Sequence, residues 1–313
     1  MEAALDPDLL ICDPHHHFWN RGDYRYLLGE LRADTGSGHR VGSTVFVECG
    51  FGYRGDGPVS FRPVGETESV VATEPDGFVA GIVGFADLCA PDIEDVLAAH
   101  VEAGAGRFRG VRYKYARDAS PLIPVTSNMP GPGALGEDPA FRAGFAALGR
   151  AGLSFDTWTY HTQLQDLLEL AKAQPDVTIV VDHLGGPLGV GPYHGHRDQV
   201  LAVWQARLSE LARHGNVVMK LGGVGMPLFG ETWHYFPGDT TSEQIAAARG
   251  AEIRWCIELF GPDRCMFESN FPVDKQSFSY VVLWNAFKRI VADYSAAERS
   301  ALFHDTATRV YRL

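Results

Sequence analysis

The sequence predicts an α/β fold, a (β/α)8 barrel, and two observations carry that prediction. Short apolar segments alternate with longer stretches of helical period through most of the 313 residues. The segments are rich in Val, Ile and Phe, as parallel strands buried on both faces require. Eight such strand-and-helix units in a chain of this length fit a closed barrel. A doubly wound open sheet is disfavoured, because the first strand-to-helix turn is not G-x-G-x-x-G and no Walker loop appears.

The strands are expected at residues 10–12, 43–49, 77–88, 108–113, 153–157, 177–181, 217–221 and 265–267. The helices between them carry readable punctuation. Pro91 opens 92–103 and Gly104 closes it; Asp138 with Pro139 opens a helix that ends at Gly152. Residues 163–173 stop before Pro175, 198–214 stop at Gly215, and 242–260 end at Gly261-Pro262. Ser295 and Glu298 have capping-box spacing ahead of a last helix running towards Leu302. Segments 34–42, 50–63, 121–136 and 224–241 are expected as loops over the barrel face. No low-complexity linker or charge run divides the chain, so residues 1–313 are expected to form one domain.

Composition narrows the function. The formal net charge is −12, with no Lys/Arg run, which excludes the cationic surface a nucleic-acid binder needs and disfavours an anionic membrane surface. At 45% hydrophobic and 21% charged residues the chain reads as soluble and globular. Residues 1–10 lack the basic start of a secretory signal and no apolar run is long enough to span a bilayer, so a cytoplasmic enzyme is expected. The five cysteines never pair as C-x-x-C and read as reduced core thiols. The sequence is compatible with a homo-oligomer and carries no signal that specifies one.

Twelve histidines are the more informative count, because several sit where an apolar strand runs out. In a parallel barrel that is where the active site lies. The first strand ends Asp13-Pro14-His15-His16-His17-Phe18-Trp19. Alternation places Asp13, His15 and His17 on one face and His16 on the other, and two imidazoles two residues apart can close on one divalent ion. The fifth strand runs through Trp158 to His161, where a third ligand would enter. The sixth ends Asp182-His183-Leu184-Gly185-Gly186, an imidazole at the mouth beside backbone that a ligand can approach. Three more ends are polar: Glu48-Cys49, Arg112-Tyr113-Lys114 and Lys220-Leu221-Gly222-Gly223. Such a carboxylate can bind metal or move protons, and the cations can hold a substrate carboxylate or carbonyl oxygen. A barrel salt bridge such as Glu48 with Lys220 is the structural alternative.

Taken together these residues resemble the amidohydrolase superfamily, in particular the amidohydrolase 2 group of lactone hydrolases, which includes sugar lactonases, 4-sulfomuconolactone hydrolase and 2-pyrone-4,6-dicarboxylate hydrolase. The resemblance rests on Asp13-x-His15-x-His17-Phe18-Trp19, Tyr160-His161-x-Gln163, Asp182-His183-Leu184-Gly185-Gly186-Pro187 and the run from Arg264 to Asp274. It implies a TIM barrel, a divalent metal (zinc, with manganese second, although some lactone hydrolases of the group use none) and hydrolysis of a lactone or related cyclic ester or amide. It also implies His15, His17 and His161 as metal ligands and His183 as the residue that contacts the bound water or substrate. The eighth strand departs from the pattern. Where the superfamily has Asp in Ser-Asp-x-Pro, this chain has Asn270 in Ser269-Asn270-Phe271-Pro272. An amide takes no proton near neutral pH, although its oxygen can bind a metal or orient water. Asp274, Glu48, Glu268 and His183 are the candidates for the base.

The leading expectation is therefore a metal-dependent lactone hydrolase: His183 transferring protons, Asp274 or Glu48 as base, Asn270 orienting the nucleophile. Arg112, Lys220, Tyr113 and Trp158 are expected to contact a small-molecule substrate, for which a carboxylate-bearing lactone is one choice. Metal-dependent non-oxidative decarboxylation, or another C–C cleavage, is the second reading, made more attractive by the missing Asp. A ligand-binding barrel without catalysis is the third.

Overall fold

A computed structural model describes residues 2–22, 24–127, 135–236 and 238–313. Eight parallel strands pair in chain order: β1 (Leu10–His16), β2 (Arg40–Val47), β3 (Val79–Gly84), β4 (Phe108–Ala116), β5 (Ser154–Trp158), β6 (Ile179–Val181), β7 (Val217–Lys220) and β8 (Cys265–Met266). The circle is nearly closed between β8 and β1. Beyond β8 the chain bridges His16 through Phe271, with the His17 amide donating to the Phe271 carbonyl (2.8 Å) and the Asn270 amide to that of His15 (2.9 Å). One helix follows each strand: α1 (Leu28–Thr35), α2 (Val64–Thr73), α3 (Ile93–Ala103), α4 (Pro139–Ala151), α5 (Leu164–Ala173), α6 (Arg197–Leu211), α7 (Ser242–Phe260) and α8 (Tyr280–Ile290). This is the (β/α)8 barrel that the alternation of segments predicts.

The helix signals work as their chemistry requires. Asp138 caps α4 by accepting from the Ala140 amide (2.8 Å), and Gly152 ends it in the left-handed region at φ +65°. Ser295 and Glu298 form the reciprocal capping box of α9 (Ala296–Ser300). A π turn over Ala301–Asp305 then leads into α10 (Thr306–Tyr311). Of the expected loop 121–136, residues 128–134 lie outside the described residues, as does Pro237 in 224–241. No described helix is long and apolar enough to cross a membrane.

The barrel interior is layered. Cys12, Val45, Val83, Val180, Val218 and Met266, one from each of six strands, form a buried apolar cluster, closed from beneath by Ala307, Val310 and Tyr311 of α10. Each fully buried Val of that layer contributes roughly 1.5–3 kcal/mol relative to exposure. Above it the strands end in charge.

β1 shows how local backbone decides which side chains reach that charged layer. Its pairing with β2 slips between Asp13 and His16, where Pro14 has no N–H to give the ladder. The slip reverses the alternation expected for Asp13. Its carboxylate accepts from the Ser269 amide (2.9 Å) and the Tyr280 hydroxyl (3.0 Å), tying β1 to β8 and α8. His16 faces outward as expected, its Nε2 3.0 Å from Thr44 Oγ1 and its ring against Phe18 and Phe46.

Candidate active site

His15, fully buried, is the centre of the arrangement. Its Nδ1 lies 2.8 Å from Glu268 Oε2, and its ring packs on those of His17 and His183, with centroids 4.9 and 4.6 Å away. The other Glu268 oxygen, Oε1, accepts from His183 Nδ1 (2.6 Å) and from the His183 amide (3.1 Å). One carboxylate thus clamps two imidazoles. Burial alone would raise the Glu268 carboxyl, but His183 and His15 beside it hold it below the usual carboxylate range. The clamp needs the glycine pair that follows β7: a Cβ on Gly222 would meet Glu268 Cγ at 2.2 Å, and one on Gly223 the His183 ring at 2.6 Å.

His17 Nδ1 is 2.7 Å from the Val47 carbonyl, an acceptor only, so this nitrogen carries the proton. With Nδ1–H of His183 likewise directed at Glu268, His17 and His183 both present Nε2 as a lone pair. His15 Nε2 is buried and has no hydrogen-bond partner. Burial lowers His183 against the opposing pull of Glu268, and lowers His17 well below the imidazole range together with the charges of His15 and Arg112, so both are neutral near pH 7. Ligand atoms of His15, Asp182 and His183 all lie within 4.8 Å of one another. Two neutral imidazoles, His17 and His183, with their far side fixed, beside the unpartnered Nε2 of His15, suit a divalent ion.

Beneath the imidazoles lies a buried ion network, which meets the cavity only through Arg112. Lys220 Nζ lies 2.9 Å from Asp156 Oδ2, 3.2 Å from Asp182 Oδ1 and 3.3 Å from His15 Nδ1. Arg112 Nε lies 2.9 Å from Asp182 Oδ2, and the Tyr311 hydroxyl of α10 donates to Asp156. Burial opposes every charge here. Even so, Lys220, then His15 and Arg112, hold Asp182 well below its usual range, while Asp156 and Asp182 hold Lys220 above its own.

Above the imidazoles opens a cavity of about 230 Å³, whose wall includes His17, His183, Glu48, Arg112, Trp158 and Asn270. Asn270 Nδ2 donates to Asp274 Oδ1 (2.9 Å), leaving the amide oxygen for the cavity. The amidohydrolase family model matches residues 12–313. The chain belongs to the amidohydrolase family. The amidohydrolase is 35% identical to the uncharacterized protein y4mH of Sinorhizobium fredii, over 98% of this chain and 99% of that one. It is 27% identical to an L-fucono-1,5-lactonase of Burkholderia multivorans, over 97% and 96% of the two chains. A solved amidohydrolase from Burkholderia multivorans with bound zinc superposes with a TM-score of 0.76 at 26% identity, covering 97% of this chain and 99% of that one.

The structure brings His15, His17, His183, Glu48, Arg112, Trp158 and Asn270 of the amidohydrolase together at one mouth, and sets four other expected residues apart. His161 is held elsewhere: the Leu188 amide approaches its Nδ1 (3.5 Å), its ring packs edge-on against Tyr193, and it lines a separate depression with His196. The chain turns into a 3-10 segment at His161, which carries the imidazole away from the axis. Tyr113 faces the helices, donating to Asp87 and packing on Phe141, because the alternation that points Arg112 and Lys114 inward points Tyr113 outward. Lys220 is buried beneath the cavity wall and engaged by Asp156 and Asp182. Asp274 sits behind Asn270: its two oxygens accept from Gly225 N (2.8 Å) and Asn270 Nδ2, and burial pushes it up to about 8. Sequence reasoning gave Glu268 only a passing place and missed Asp156 and Tyr311. The available signal for Glu268 was a lone carboxylate following the apolar run Cys265-Met266-Phe267.

Proposed function

We propose that this amidohydrolase hydrolyses the ring ester of a lactone. The observation that carries the reading is the Glu268 clamp, which holds a neutral His183 with its free nitrogen towards the cavity beside His15 and His17. Full-length similarity to an L-fucono-1,5-lactonase supports the choice of ester. In this reading His183 Nε2 takes the proton of a water that adds to the lactone carbonyl, and Glu268 stabilises the imidazolium that results. Asn270 Oδ1 accepts the other water hydrogen and Asp274 fixes that amide, so Asp274 is a positioning residue. Arg112 places positive charge near the developing oxyanion. The ring C–O bond then breaks, and His183 returns its proton to the departing alkoxide, giving an open-chain hydroxy acid. Glu48 and Trp158 flank the substrate. A divalent ion, zinc first and manganese second, would be held by His15 and His17 with the Asn270 oxygen, and when bound it supplies Lewis-acid polarisation and a more acidic water.

The test is acid release from a panel of single-ring lactones, with zinc, with manganese and with chelator. Turnover is expected, reduced at least about 100-fold by His183→Ala; no turnover under any of these conditions overturns the reading. In the same preparations His17→Ala is expected to lose bound metal and His161→Ala to retain it. Loss of metal from His161→Ala instead would restore His161 as a ligand.

A further inference from the structure

The cavity wall carries three cations, Arg21, Arg112 and Lys114, against one carboxylate, Glu48. Two of the cations are matched: Arg112 by Asp182 (2.9 Å), and Lys114 by Glu48 (3.3 Å). Arg21 is different. It lies on a two-stranded hairpin, Trp19–Arg21 against Tyr24–Tyr26, that rises beside the mouth. Its Nη2 donates to the Cys49 carbonyl (2.6 Å), and its guanidinium rests 4.8 Å over the Trp19 ring. That ring is in turn stacked parallel to His17, 6.4 Å between centroids. Among the described residues no carboxylate lies within ion-pairing distance of Arg21. A carbonyl and an aromatic face orient the guanidinium without neutralising it, and leave N–H donors for a planar anion.

From this we infer that Arg21 determines specificity, by holding a carboxylate carried on a single-ring substrate. The inference rests on the lactonase reading for what happens to the ring, and on the cavity alone for the carboxylate. The volume of about 230 Å³ falls below the roughly 300–1,000 Å³ of pockets that take drug-sized ligands, so one ring with its substituents fills it. The same stack explains the geometry. Trp19 joins Arg21 to His17, so a ring whose carboxylate sits on Arg21 lies along the wall that ends at the imidazoles. The cations first expected to bind a substrate carboxylate, Arg112 and Lys220, already face carboxylates of the protein, which leaves this role to Arg21.

Equilibrium binding of cyclohexanecarboxylate and of its neutral isostere cyclohexanecarboxamide tests the inference without turnover. The wild type is expected to prefer the carboxylate at least about tenfold. Arg21→Gln is expected to remove that preference, and Arg21→Lys to restore part of it, since an ammonium keeps the charge and loses the fork. Equal affinity for the two probes, binding of neither, or a preference that survives Arg21→Gln overturns it. A kinetic comparison of a carboxylated and a neutral lactone of equal ring size separates the two readings. If neither lactone is hydrolysed while the Arg21-dependent preference holds, the lactonase reading fails and the carboxylate site stands. If both are hydrolysed with equal kcat/KM, the carboxylate site fails and the lactonase reading stands.

Discussion

Asp182 and Glu268 on the barrel axis and Glu66 and Asp274 in the segments around it are all fully buried, yet the two pairs keep their protons differently. On the axis, Lys220, Arg112 and the imidazoles hold the carboxyls ionised. Around it, among the described residues, no cation outweighs burial, and the pull of Lys114 on Glu66 is the smaller effect. Burial and the neighbouring Glu48 push Glu66 up to about 8, although the Cys49 and Phe51 amides donate to it at 2.9 and 2.7 Å. Asp274 is pushed up to the same level. The difference shows that burial by itself does not decide charge; a matched cation does. Charge is maintained on the axis, where it can orient imidazoles, and the outer carboxyls serve as hydrogen-bond posts that hold loops.

The comparison breaks most visibly at Lys220. Lys220→Met leaves Asp156 and Asp182 buried without their shared cation, an expected loss of about 3–5 kcal/mol in a urea-unfolding measurement. A loss under about 1 kcal/mol would mean the axis needs no such cation. Next comes Glu268→Gln. The carboxylate accepts from His183 and faces His15, whereas an amide offers one oxygen and one NH2; with the NH2 turned to His183, that histidine must move its proton to Nε2 and cover the lone pair facing the cavity. Activity and bound metal are expected to fall about 10–100-fold, read by lactone turnover and elemental analysis. An unchanged enzyme would show that the clamp orients nothing.

The smallest effect is expected outside the axis and appears in its pH dependence. In the folded protein Glu66 stays protonated up to about pH 8, whereas in the unfolded chain it ionises near the usual 4.5. Folding therefore binds a proton between those values, and the contribution is fully present below about pH 4.5 and lost as pH rises through 8. Glu66→Gln has no proton to lose and can still accept both amides. Unfolding midpoints from pH 5 to 9 should decline less steeply in this variant, with an advantage of about 1 kcal/mol or more over wild type at the alkaline end. Parallel curves would mean that Lys114 keeps Glu66 ionised despite its burial.

The barrel was legible because its signal is repeated: each Val/Ile-rich segment is followed by a capped helix, and α7 runs over the expected residues from Ser242 to Phe260. The histidines of β1 and β6 were legible for the same reason, since strand ends point at the axis. What escaped the sequence depends on departures from regularity. The slip at Pro14 turned Asp13 to the other face, and the 3-10 turn at His161 removed an imidazole from the mouth. Tyr113 lost its place to the alternation already applied to β1. Asp156 and Tyr311 could not be paired in advance, because their contact spans 155 positions and is set by how α10 enters the barrel.

That entry has a kinetic corollary. The Tyr311 hydroxyl reaches Asp156, Asp156 reaches Lys220, and Lys220 reaches the Asp182 and His15 that face the chemistry. A chain that has formed its eight strands but not yet seated α10 has the barrel and lacks one anchor of the charged layer. Catalytic competence then becomes the last property a refolding molecule acquires. After dilution from urea, ellipticity should recover before turnover does, and the lag between them measures the docking of a helix on the face of the barrel opposite to the substrate.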